Sequence, residues 1–180
     1  MTISNCTIAR TFTGKNTNSA AASTGSAVSA SVGNGQNSCP DPVVSFADGS
    51  GICQAQDWYY AYVTITASGS LDIDLSGSVN NPFGTSLVFT KIKAIVVAID
   101  YGTTSYDGTK ALTIGPASSN PFNGPFSGTT PKVQFDREFS QTVGTAAGWA
   151  VTAGTGDKLN LSNPGAASVS AGVWILGCTS

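Results

Sequence analysis

The chain has 180 residues, of which 10% are charged, with a net charge of -2 at neutral pH and no histidine. Charged residues normally make up about a quarter of a globular protein, so solubility here falls to hydroxyls and amides. The scattered lysines and arginines offer no basic field for nucleic acid, and the missing imidazole removes every mechanism that needs a histidine base or ligand.

In chain order, "MTISNCTIARTF" lacks a basic segment followed by an apolar one, and no apolar run later in the chain approaches membrane-spanning length. A chain made in the cytosol without a membrane span is therefore expected. Residues 1–38 read as an extended, low-complexity N-terminal arm, rich in small polar residues with Val28 and Val32 as apolar anchors. Two readings fit: a flexible linker, or an arm that adds strands to the domain or to a neighbour, with Val28 and Val32 as contact residues. Residues 39–57 read as a connector. Oxidation of Cys39 with Cys53 would close a loop worth about 3 kcal/mol, and Cys6 with Cys178 would tie the two ends together. Buried free thiols are the alternative. The spacing lacks the paired C-x-x-C of a zinc site, so no metal is expected.

Residues 58–180 read as a β-sandwich domain. Strands are expected at Trp58–Ala67, Ser70–Gly77, Leu87–Asp100, Thr109–Gly115, Pro131–Val143, Gly148–Ala153, Asp157–Ser162 and Ala167–Cys178, separated by Gly, Pro and Asn. That pattern predicts an all-β chain, with two sheets in a jelly-roll-like sandwich. In Leu71-Asp72-Ile73-Asp74-Leu75 the apolar residues take one face and the aspartates the other, as in a half-exposed strand. Ile95–Ile99 and Val173–Leu176 are apolar on both faces, which places them centrally, covered in part by another subunit.

The search for chemistry returns turns and solvated faces. Asp72 with Asp74, and Asp136 with Glu138, each sit two apart on one strand, whereas a glycosidase sets its carboxyls across a cleft. "DGSG" at Asp48 and "GTGDK" at Gly154 lack the ligand spacing of a calcium loop and the helix of a phosphate loop. Trp58, Tyr59, Tyr60 and Tyr62 would suit sugar stacking, but alternation assigns part of them to the core. No catalytic residue, cofactor or enzymatic activity is expected. "SSNPFNGPFSG", from Ser118 to Gly128, is a stiff loop whose prolines push the residues before them toward extended geometry. Phe122 and Phe126, with Phe83 from the related turn at Asn81, either form an interface at one end of the sandwich or lid the core of their own chain.

The runs "LDIDLSGSVNNPFGTSLVFTKIKAIVVAID", "NPFNGPF" and "GWAVTAGTGDKLNLSNPGAASVSAGVWILG" resemble a group of small structural proteins of tailed phages and prophages. The resemblance covers Trp58 to Cys178. It implies a capsid decoration, or cement, protein: a homotrimer of jelly-roll domains on the outer shell of the virion, bound to the major capsid protein and clamping its subunits. Neither nucleic acid nor membrane is implied as a partner. The alternative is a tail or fibre-associated virion protein that binds host carbohydrate.

Overall fold

The computed structural model describes residues 6–8, 44–100 and 108–179. The chain divides into two units, residues 5–45 and residues 46–180, with residues 1–4 counted in the latter. Of the smaller unit, β1 (Cys6–Ile8) and the first two residues of β2 (Val44–Asp48) are described. Val28, Val32 and Cys39 lie outside the described residues, as does the side chain of Cys6.

The larger unit is built of strands. In order these are β3 (Gln54–Ala55), β4 (Asp57–Ile65), β5 (Ser70–Asp74), β6 (Val79–Asn80), β7 (Ser86–Leu87), β8 (Lys91–Ile99), β9 (Leu112–Pro116), β10 (Val133–Phe135), β11 (Glu138–Thr142), β12 (Trp149–Ala150), β13 (Lys158–Ser162) and β14 (Val169–Cys178). No described residue is helical.

Two antiparallel sheets face each other. One has the order β11-β8-β14-β4, with β12 continuing the line of β11 along β8; the other has the order β10-β9-β13-β5. The pairing is nested: β4 joins β14, β5 joins β13, β8 joins β11 and β9 joins β10. The domain is thus one long hairpin with its tip between β9 and β10, wrapped so that its legs alternate between the sheets. This is the jelly roll expected from the spacing of strands and turns.

Alternation explains which side chains meet. Ile92, Ile95, Val97 and Ile99 of β8, Val169, Ala171, Val173 and Ile175 of β14, and Phe139 of β11 point into the sandwich. Ile73 of β5, Leu112 and Ile114 of β9, and Leu159 and Leu161 of β13 meet them from the opposite sheet. Burial of such side chains stabilises the fold by about 1.5–3 kcal/mol each.

Two expectations need correction. Pro131–Val143 is not one strand: Val133–Phe135 pairs with β9 and Glu138–Thr142 pairs with β8, in different sheets. The chain turns the corner at Asp136 and Arg137, so Asp136 and Glu138 do not share a strand. Leu87–Asp100 divides between β7 and β8. The connector 39–57 holds two short strands, β2 and β3, which pair in parallel.

The Asn-Pro turns are held by their asparagines. Buried Asn81 accepts from the amides of Phe83 (3.0 Å) and Thr85 (2.9 Å) and donates to Asp57 Oδ2 (3.2 Å). Buried Asn163 donates to the carbonyls of Ile65, Thr66 and Ala167, and its Oδ1 accepts from the Gly165 amide. Asn120 departs from the extended geometry expected before proline: its φ is +51°, a left-handed conformation that Asn tolerates better than most residues. From there its carbonyl accepts from the amides of Asp157 (3.1 Å) and Lys158 (2.9 Å).

Candidate interaction face

The two sheets present very different outer surfaces. On the β5 side, Asn160 Nδ2 donates to Asp72 Oδ1 (2.6 Å) and Lys132 Nζ donates to Asn160 Oδ1 (3.2 Å), making a polar chain across the strands. The segment at Pro131 and Lys132 lies directly over Gly115, where a Cβ would come within 2.8 Å of the Pro131 carbonyl oxygen. This face is polar, and its own chain covers it at Gly115.

The outer face of the other sheet is apolar over β4, β14 and β8 and polar along β11, where Glu138, Ser140 and Thr142 share it. Register places Trp58, Tyr60, Tyr62 and Thr64 of β4 opposite Leu176, Trp174, Gly172 and Ser170 of β14. Trp174, Gly172 and Leu176 in turn oppose Val96, Ala98 and Ala94 of β8. Directly paired residues share a face, so these side chains form one surface. Tyr60 is 37% and Tyr62 51% exposed, while Trp58, Trp174, Val96 and Ala98 are half-buried. The rings of Tyr60 and Trp174 lie 5.2 Å apart at 34°, and the hydroxyls of Thr64 and Ser170 are 2.9 Å apart. The open part spans roughly three strands by five residues, a projected area of about 240 Å² from strand spacing and rise. Contiguous apolar patches of a few hundred Å² are often functional. The inward side of β4 does the opposite work: Tyr59 and Val63 pack against the core, and burial pushes the Tyr59 hydroxyl above its ordinary pKa.

One end of this face is closed by a buried lysine. Opposite Leu176 and Gly177, β8 carries an extra residue, with Leu176 pairing Ala94 and Gly177 pairing Ile92. A bulge of this kind re-aims a side chain, and Lys93 falls at it. Lys93 is fully buried, and its ammonium donates to the carbonyls of Gly51 (3.2 Å), Ala146 (3.1 Å) and Thr145. A charge buried this deeply needs such partners. The lysine thereby pins two loops over the end of the sheet, under which Leu176 and Ala94 are buried. Sequence reading missed this role; its one signal was a lysine inside the otherwise apolar "IKAIVVAI".

The phenylalanines of the stiff loop take a different place. Phe122 is wholly buried and Phe126 is 8% exposed, both within the core cluster. Phe126 stacks on Phe139 (6.2 Å, 19°), which in turn meets Phe135 at 6.0 Å. The Phe122 amide bonds the Lys158 carbonyl, and Pro121 bridges to Lys158. The loop is the tip of the wrapped hairpin, and its rings lid the core of their own chain. Phe83 does not join them; it is 76% exposed on the Asn81 turn. Beside the tip runs an open groove of about 400 Å³, lined by Pro121, Asn123, Phe126, Trp149 and Thr152 among others.

Among the described residues Cys53 and Cys178 are free thiols, the first exposed and the second buried; the partners considered for them, Cys39 and the side chain of Cys6, lie outside the described residues. Cys178 Sγ lies 3.7 Å from the Gly49 carbonyl and 3.9 Å from that of Gln54. Burial raises its pKa against the opposing pull of Lys93 and Lys91, so the thiol stays protonated at neutral pH. Asp74 and Asp157 meet through Ser76, whose hydroxyl donates to Asp74 Oδ1 (3.2 Å) and Asp157 Oδ2 (2.7 Å). For Asp157, burial pushes the pKa up, but the Ser76 hydroxyl, the Gly154 amide, its own amide and Lys158 outweigh it and hold the carboxyl below its ordinary value. This carboxylate organises the turn at "GTGDK". No helix among the described residues is long and apolar enough to cross a membrane.

No protein-family model matches the chain, and no curated protein matches it. Among solved structures, a chain of the cyanophage Pam1 capsid asymmetric unit is similar at 17% identity and a TM-score of 0.33, over 67% of this chain and 83% of that one.

Proposed function

We propose that this is a structural protein of a tailed-phage virion, a decoration protein that binds the major capsid protein on the outer shell and acts without catalysis. In this reading it assembles as a homotrimer and stabilises contacts between capsid subunits by binding the assembled lattice in preference to the open one. The observation that carries the reading is the aromatic and aliphatic outer face formed by β4, β14 and β8, bordered by Glu138 of β11, a surface suited to burial against another protein. The sequence resemblance over Trp58 to Cys178 supplies the partner class.

The test is cryo-electron microscopy of the virus particle that carries the chain, together with sedimentation of the purified protein with capsids that lack it. Trimers bridging capsid subunits on the outer shell are the expected density. Val96→Lys places a charge on the face between Trp174 and Ser140, its cross-strand neighbours, and is expected to abolish cosedimentation while leaving the far-UV spectrum unchanged. Density on the tail, or undiminished capsid binding by the variant, would overturn the reading. Tail density together with retention on a glycan array would select the carbohydrate-binding alternative, for which the groove beside Trp149 is the place to look.

A further inference from the structure

The long edge strand β4 presents a second surface at right angles to the apolar face. It runs nine residues, Asp57–Ile65, in unbroken register with β14 on one side, and among the described residues no strand pairs with it on the other. Its polarity can be read from the hydrogen bonds. The Asp100 amide donates to the Ser170 carbonyl, so the backbone groups of Ser170 point toward β8. Its pair with Thr64 is then a non-hydrogen-bonded one, and such pairs alternate along a ladder with hydrogen-bonded ones. The amides and carbonyls of Trp58, Tyr60, Tyr62 and Thr64 therefore point outward, away from β14. The Trp58 amide is taken up by Asp57 Oδ1 at 2.8 Å.

Proteins guard such edges with lysine, proline, a bulge or a covering loop. This strand carries neither lysine nor proline, and no charged residue occurs between Asp57 and Asp72. We infer that the β4 edge pairs with the β4 edge of a second copy of this chain, antiparallel about a two-fold axis through Ala61.

Three observations select that occupant. The midpoint of β4 is Ala61, and a two-fold axis there matches every residue of the strand to one in the copy. Tyr60 exchanges both backbone bonds with Tyr62 of the second copy, and Trp58 faces Thr64 of the second copy. A two-fold contact sets each surface against itself, so like charges near the axis would repel; here there are none, and the lone Asp57 lies at the far end with its carboxylate engaged by the Trp58 amide and Asn81. Finally, one apolar face of about 240 Å² is well short of the ~800 Å² per partner of a standard interface. Two sheets joined at β4 double it into one continuous aromatic surface, with Tyr60 and Tyr62 of one copy beside Tyr62 and Tyr60 of the other. The contact is isologous, so between two chains with no other interface it consumes both edges and closes instead of growing into a fibre. Where the chain is trimeric through another surface, this contact links one trimer to the next.

The test uses the full chain. In Tyr62→Pro the lost amide is one that points outward, so the β14 ladder is untouched and proline is tolerated as on other edge strands. Folding is checked by circular dichroism, with Tyr62→Lys as the second variant should the proline unfold the domain. Sedimentation equilibrium should show the two-fold association of the wild-type chain weakened at least tenfold by either folded variant. Register is read by crosslinking. Ala61→Cys lies opposite itself across the axis, at a non-hydrogen-bonded pair whose ~4.5 Å Cα separation suits a disulfide, and should yield a covalent two-chain species on a non-reducing denaturing gel. Val63→Cys, which faces residue 59 of the copy, should not, and the native cysteines are common to both. A pairing-independent association that survives both Tyr62 variants, equal crosslinking at 61 and 63, or a chain that stays unpaired at β4 and binds a strand of a different protein there would each overturn the inference.

Discussion

Phe122 decides between the two readings of the tip loop, and the structure sets the size of the effect. The ring is wholly buried in the core cluster, and a buried phenylalanine removes roughly 150–200 Å² from water. At about 25 cal/mol per Å² that is about 4 kcal/mol, and measured Phe→Ala substitutions in cores cost ~3–5 kcal/mol. Phe122→Ala should therefore lower the unfolding free energy by about 4 kcal/mol in urea titrations followed by tryptophan fluorescence. A second substitution makes the test specific to packing. A Cβ at Gly124 would lie 2.3 Å from the Phe122 ring and 2.9 Å from Trp149 Cβ, so Gly124→Ala alone overpacks the site and costs about 1–3 kcal/mol. In the Phe122→Ala background the first of those clashes is gone, and the same change should cost at least ~1 kcal/mol less, a coupling a double-mutant cycle resolves. If Phe122→Ala leaves stability within ~1 kcal/mol of wild type but abolishes association with capsid or with itself, the lid reading is wrong and the ring belongs to an interface.

Replacing Lys93 with Met leaves the carbonyls of Gly51, Thr145 and Ala146 without their donor. The expected cost is about 3 kcal/mol, with faster hydrogen exchange in the loops at residues 49–53 and 144–148; an unchanged urea midpoint would refute the clamp. Because the Asp157 carboxyl is held below its ordinary pKa in the folded chain, it contributes stability above its unfolded value of about 3.9, and that contribution is lost as pH falls through the folded value. The stability difference between wild type and Asp157→Asn should accordingly be larger at pH 6 than at pH 3, and a difference independent of pH would contradict the assignment. A maleimide reagent should modify exposed Cys53 in the native protein and reach buried Cys178 only in denaturant; equal rates at both would show that the C-terminal strand is not packed as described.

Much of the domain was legible because alternation acts locally. "LDIDL" and "KLNLS" declare their inward faces residue by residue, and the apolar runs of β8 and β14 announce central strands. What failed to show depended on distant partners. Phe135 and Phe139 both face the core and are four apart, as they would be in one continuous strand, so nothing in the sequence marks the corner between them where the chain changes sheets. The lysine of "IKAIVVAI" reads as an interruption until the loops at Gly51 and Thr145 supply its acceptors from far along the chain. The rings of Phe122 and Phe126 suit an interface and a lid equally well by composition, and the strand Glu138–Thr142, which brings Phe139 beneath Phe126, is what decides. The candidate face was half visible: two-sided apolar strands asked for a cover, but the edge and its polarity follow only from the register of β4 on β14.

The nesting of the strand pairs carries a kinetic meaning. A chain that brought β4 to β14 first would close a loop of about a hundred residues at a cost near 4 kcal/mol, against ~2.5 kcal/mol for a loop of fifteen or twenty. Closing the tip first, then β8 on β11 and β5 on β13, replaces the one large closure by a succession of small ones. The domain is therefore expected to zip from β9 and β10 outward, and to come apart in the reverse order. The outermost rung, β4 on β14, is then expected to be the last to close and the first to fray, so whatever pairs with the outer edge of β4 would also set how long the whole roll stays shut.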